Sequence, residues 1–133
     1  MPRIQFITLI VVFAVAAILF TPHRLSAETK VLNNNDSGSE VHLKVGDRIE
    51  LHLRWNPSTG YMWYEHKEST PLLKLVSQSE TVPDTRRPGA GNVQIFSFEP
   101  RSAGDGTLLL HYVRSWAKPS PDETQFKLHV IIE

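Results

Sequence analysis

Val41-His42-Leu43-Lys44-Val45-Gly46-Asp47-Arg48-Ile49-Glu50-Leu51-His52-Leu53-Arg54-Trp55 decides the reading of this chain. Apolar and polar side chains alternate on both sides of a Gly-Asp turn. A period of two places Val41, Leu43 and Val45 on one face of a first strand, and Ile49, Leu51, Leu53 and Trp55 on one face of a second. A helix would need apolar residues three and four apart, and the stretch has no such stripe.

The same grammar continues toward the C-terminus. Asn56-Pro57-Ser58-Thr59-Gly60 breaks the alternation, and an aromatic third strand follows over 61–65. Residues 72–76 give a short fourth strand, and Glu80 to Asn92 reads as a polar loop with Pro83, Pro88, Gly89 and Gly91. Strand five spans 93–99, with Phe96 and Phe98 on one face. Gly104-Asp105-Gly106 turns into strand six at 107–114. A proline-bearing loop, Ser115 to Glu123, leads to strand seven at 125–132. About seven short strands, regular turns and one Trp (Trp63) in an early-middle strand predict an all-β, immunoglobulin-like antiparallel β-sandwich.

Upstream the character changes. Residues 28–40 contain Asn33-Asn34-Asn35-Asp36-Ser37-Gly38-Ser39 and read as a flexible linker. Before them lies a hydrophobic leader: Arg3 precedes an apolar run from Ile4 to Phe20, interrupted only by Gln5 and Thr8, and Ser26-Ala27 offers a small-residue exit. Residues 1–27 read as a secretory signal peptide cleaved after Ala27, with an uncleaved anchor over residues 4–20 as the alternative. Either way the domain, residues 41–133, is expected in an extracytoplasmic compartment, periplasmic or secreted. A membrane contact is expected only if the leader stays on.

The whole chain has 133 residues, 14 Lys+Arg and 14 Asp+Glu, and no cysteine. Without the leader the charge is −2 over 106 residues. A nucleic-acid binder normally carries a basic excess, so that class is excluded. The absence of cysteine excludes disulfides, thiolate zinc sites, Fe–S clusters and a cysteine nucleophile. No H-E-x-x-H, G-x-S-x-G, phosphate loop or dinucleotide fingerprint is present. His42, His52, His111 and His129 fall on the outward register of their strands, and pairing of the last two strands could make His111 and His129 neighbours. Two histidines without a third ligand make a weak metal site. The expectation is a protein that is not an enzyme, with no metal and no cofactor.

Three loops remain. Strand direction reverses at each connection, so the second-to-third, fourth-to-fifth and sixth-to-seventh loops share one end of a sandwich. They carry Asn56-Pro57-Ser58-Thr59-Gly60-Tyr61, Gly89-Ala90-Gly91-Asn92 and Arg114-Ser115-Trp116. With Trp63 just after the first, these motifs resemble the chagasin family of protein inhibitors of papain-like cysteine peptidases. That family carries N-P-T-T-G-[YF], G-x-G-G and R-P-W loops in this order. The departures are Ser58 for Thr, Asn92 for Gly and Ser115 for Pro. The resemblance implies an inhibitor, a monomer with a papain-like cysteine peptidase as its partner, whose cleft the three loops occlude reversibly. It places Thr59 against the target's Cys–His pair, with Tyr61 and Trp116 as aromatic anchors. Two other classes compete: an immunoglobulin-like adhesion or ligand-binding module, and a metal-dependent secreted enzyme using the outer-face histidines.

Overall fold

A computed structural model describes residues 26–81 and 92–133. All but the last two residues of the leader lie outside the described residues, as do Gly89, Ala90 and Gly91 of the second loop. Eight strands form: β1 (Thr29–Asn33), β2 (Glu40–Leu43), β3 (Arg48–Trp55), β4 (Met62–Glu65), β5 (Leu73–Glu80), β6 (Asn92–Pro100), β7 (Gly104–Val113) and β8 (Thr124–Ile132). They make two four-stranded sheets, β1-β3-β6-β5 and β2-β8-β7-β4. This is the expected immunoglobulin-like sandwich.

The alternation read from the sequence builds the core. Ile49, Leu51 and Leu53 from β3 and Phe96 and Phe98 from β6 meet Leu43, Leu108, Leu110, Phe126, Leu128 and Val130 from the opposite sheet, all essentially inaccessible. Each such side chain contributes about 1.5–3 kcal/mol relative to exposure. Trp63 is buried among them, and Trp55 packs at the rim. Gln94 is a polar side chain on this inner face. Its Oε1 accepts the Trp63 backbone N–H at 2.8 Å and its Nε2 donates to the Trp63 carbonyl at 3.4 Å. A buried amide thus satisfies both main-chain groups of Trp63 from across the sandwich, tying β6 to β4.

The linker expected over 28–40 is corrected. Residues 29–33 form β1, which pairs in parallel with β3 from Thr29↔Arg48 to Asn33↔His52. The polar run behind it caps and crosses. The Asn33 side chain accepts from Asn35 N, Asp36 accepts from Asn33 N, and Asn34 Oδ1 accepts from Arg54 N. Gly38 N then donates to Lys127 O and Ser39 O accepts from His129 N, delivering the chain to β2 in the other sheet. These residues are polar because they satisfy backbone groups at a sheet change.

That crossing also makes two pairings parallel, β1 with β3 and β2 with β8, within an otherwise antiparallel sandwich. The chain switches sheets after β1 and again after β2, so β3 returns beside β1 running the same way. Three smaller expectations shift. Val45 lies past the end of β2 and is 61% exposed. Gly104-Asp105-Gly106 belongs to β7, where a side chain on Gly106 would collide with Thr70. The fourth strand runs on through the polar Ser77-Gln78-Ser79-Glu80, paired with β6 beyond a register shift at Leu75/Ser77, because an edge strand is held by its backbone whatever its side chains.

Candidate functional site

The first loop is a single tight turn held by its own side chains. Asn56 Oδ1 accepts from Ser58 N (3.1 Å) and Ser58 Oγ (2.6 Å). Pro57 opens a one-turn 3₁₀ helix, Pro57–Thr59, where its missing N–H is no loss. Thr59 donates twice to the Asn56 carbonyl, from N at 3.2 Å and from Oγ1 at 2.7 Å. Gly60 closes the turn in the left-handed region at φ 77°. Ser58 in place of Thr is therefore accommodated, because its hydroxyl is used inside the turn.

Loop three leans on loop one. Arg114 Nε donates to the Thr59 carbonyl at 3.0 Å, and the guanidinium stacks over the Tyr61 ring at 4.5 Å from its centroid. The Trp116 indole lies against Gly60, yet the residue is 73% exposed. Ala117 N donates to Arg114 O at 3.0 Å, so Arg114 to Ala117 form a closed turn with Ser115 at its second position. The proline missing there leaves the turn intact.

Beneath both loops is an aromatic stack. Tyr112 sits between Tyr61 (centroids 5.3 Å apart) and Trp63 (5.1 Å). Its hydroxyl accepts the Asn56 N–H at 3.0 Å. Trp63 Nε1 donates to Arg54 O at 2.8 Å. A continuous column therefore runs from the buried Trp63 to the stacked Arg114. The sequence offers Tyr112 as a structural tyrosine corner, a ring whose hydroxyl bonds backbone; that its partner is the start of loop one, across the two sheets, was not legible there.

The flanks of the second loop are set by strand pairing. Asn92 is the first residue of β6, opposite Trp55, so it belongs to the sheet and not to the loop. Thr81 N donates to Val93 O at 2.9 Å and closes the hairpin neck. This neck lies beside the Trp55 end of β3, from which loop one departs. The expected common end is thus occupied by loops one and three and by the neck of the second.

The outward histidines separate into two groups. His42 and His52 each contact a glutamate two residues away, Glu40 and Glu50. His129 faces Thr107 and His111 faces Gln125, so these two are not neighbours in the register. His111 instead meets His66 and Glu123, neither of which the sequence singled out as a ligand.

Comparison with known proteins accords with this geometry. The family described as Chagasin family peptidase inhibitor I42 matches residues 42–130. Chagasin of Trypanosoma cruzi is 32% identical over 98 residues, covering 71% of this chain and 89% of that protein. Among solved structures, the cysteine protease inhibitor EhICP2 from Entamoeba histolytica superposes with a TM-score of 0.69 at 22% identity, over 81% of this chain and 98% of that one. Leishmania mexicana ICP gives 0.54 at 27% identity, over 80% and 90%.

Proposed function

The chain belongs to the chagasin family of peptidase inhibitors, and we propose that it blocks papain-like cysteine peptidases by wedging loops one and three, with the second beside them, into the active-site cleft. It is an inhibitor and not an enzyme. The observation that carries the cleft reading is the Arg114–Thr59 contact, which joins two loops into one edge with Trp116 projecting from it.

The geometry accounts for binding without cleavage. Residues 57–59 form a helical turn followed by a left-handed glycine, not the extended segment a peptidase cuts. The Thr59 carbonyl oxygen is held by Arg114, so it is not free to enter an oxyanion hole. The Thr59 hydroxyl is bonded within the loop. The turn is formed before the target arrives and loses little entropy on docking. Tyr61 and Trp116 supply the rigid aromatic area typical of binding hot spots. In this reading the contact set is Asn56 to Tyr61, Gly89 to Gly91 and Arg114 to Trp116, with Asn92 paired into β6 behind the second loop, one chain meeting one peptidase.

The leader over residues 1–27 supports placing this encounter outside the cytoplasm, periplasmic or secreted. Among the described residues no helix is long and apolar enough to cross a membrane.

Protection of the target thiol tests the mode of binding. Papain incubated with the protein should resist alkylation by iodoacetamide and regain full activity on dilution, with both chains intact on a denaturing gel. Alkylation at the uninhibited rate, or accumulation of a chain cut at Thr59–Gly60, would refute reversible occlusion.

A further inference from the structure

His66, His111 and Glu123 converge beside β4 and β7, one ligand atom from each lying within 4.8 Å of the others. We propose that this cluster is a binding site for a divalent transition-metal ion of the zinc class, held by two imidazoles and one carboxylate, with solvent completing the coordination shell.

Three separate segments build it. His111 lies in β7, opposite Tyr64 of β4. His66 follows β4 directly, and its backbone N donates to Leu109 O at 2.9 Å, which fixes it against β7. Glu123 ends the loop that carries Trp116, one residue before β8. The two rings meet edge to face with centroids 4.8 Å apart, and His111 Nδ1 is 3.2 Å from Glu123 Oε1. The carboxylate side chain is only 10% exposed and His111 22%. A carboxylate that buried calls for a positive partner, and a metal ion serves it and both rings at once.

The donor set selects the metal. Calcium and magnesium want oxygen ligands, whereas two imidazoles and a carboxylate suit zinc and its first-row neighbours. Three protein ligands with an open position is a known zinc arrangement. Tetrahedral zinc needs donors about 3.3 Å apart, so the side chains must close in by modest rotations. His66 Nδ1 accepts the Glu68 N–H at 3.0 Å. Giving a lone pair to the ion costs that one exposed bond, and the N–H passes to water. His111 and Glu123 also line a recess of about 290 Å³ with Tyr64 and Pro119, which gives the ion a route from solvent. Lys118 and Arg114 share that wall and oppose a cation, so affinity is set by the ligands and not by long-range attraction.

An ion here would tether the returning arm of loop three to β4 and β7. The inference stands apart from peptidase inhibition and does not depend on it. It is tested by calorimetric titration of zinc chloride into the tag-free protein, alongside Co²⁺ absorption spectra and circular dichroism of each variant. The expected result is one Zn²⁺ per chain, weakened at least about tenfold by H66A and by E123Q, and unchanged by H129A. His66 and Glu123 lie outside the core and the Gln is isosteric, so both variants should fold even if H111A does not. Absence of binding up to about 1 mM zinc, or binding that survives both H66A and E123Q, would overturn the proposal. So would binding that H129A abolishes.

Discussion

A Cβ placed on Gly60 would lie 2.5 Å from Cη2 of the Trp116 indole. Gly60 also holds φ 77°, where an L side chain costs about 1–2 kcal/mol. One glycine thus shapes loop one and seats the aromatic of loop three. Gly60→Ala should push the indole away and strain the turn, weakening inhibition of papain by about tenfold or more. The melting temperature should fall by only a few degrees. An unchanged inhibition constant would show that the Gly60–Trp116 contact plays no part in binding.

Trp116 itself is an anchor with little structural burden, since it is 73% exposed. Trp116→Ala should cost roughly 2 kcal/mol or more of binding, the scale of a hot-spot tryptophan. Thermal stability should be nearly unchanged. Unfolding of the variant would mean that the indole holds the loops together, not the target.

Ser115 occupies the second position of the turn from Arg114 to Ala117, where proline is favoured. Among the described hydrogen bonds the Ser115 N–H donates to none. Ser115→Pro should therefore stabilise loop three by about 0.4–1 kcal/mol through the flexible state. The expected outcome is a two- to fivefold tighter inhibition constant, read chiefly as a slower off-rate in surface binding to papain. A faster off-rate would show that the serine turn is already optimal.

Asp47 accepts backbone N–H groups from Glu28 at 3.0 Å and Lys44 at 2.8 Å. The Glu28 bond, then the Lys44 bond, hold its carboxyl below the ordinary value of 3.8, with Lys30 and Lys44 adding to this and burial opposing it. A depressed acid stabilises the fold while ionised. The contribution is fully present above about pH 4 and is lost as pH falls through 3.8 and below. Burial acts oppositely on Glu65, raising its carboxyl against the Ser69 bond and the Arg101 charge, so that group favours the fold more as it protonates. Asp47→Asn should lower the melting temperature at pH 7 and flatten its decline between pH 4 and pH 2.5; equal acid slopes would contradict this. In a chain processed after Ala27 the Glu28 nitrogen is an ammonium group, and the same contact becomes an ion pair. That form should melt higher than one extended upstream.

Alternation alone carried much of the fold. Seven of the eight strands follow from apolar periodicity and turn residues, because their inner faces bury Leu, Ile, Val and Phe, or in β4 Trp63. β1 escaped because Thr29-Lys30-Val31-Leu32-Asn33 lies at a sheet edge, with Val31 60% exposed. Its place is set by backbone pairing, Asp47 and the capping run, none of which leaves an apolar pattern. Of the site, Asn56 to Tyr61 and Arg114 to Trp116 were legible as motifs and do meet. The roles of Gln94 and His66 and the partner of the Tyr112 hydroxyl were not legible, since a buried amide bridge, a three-segment cluster and a cross-sheet bond depend on distances that sequence spacing does not encode.

The central claim is tested most directly by titrating active-site-quantified papain with the purified protein and following hydrolysis of a small fluorogenic peptide. The account predicts residual activity that falls to zero near one molar equivalent, with sub-micromolar affinity, reversed on dilution. Undiminished activity with several micromolar protein would contradict it.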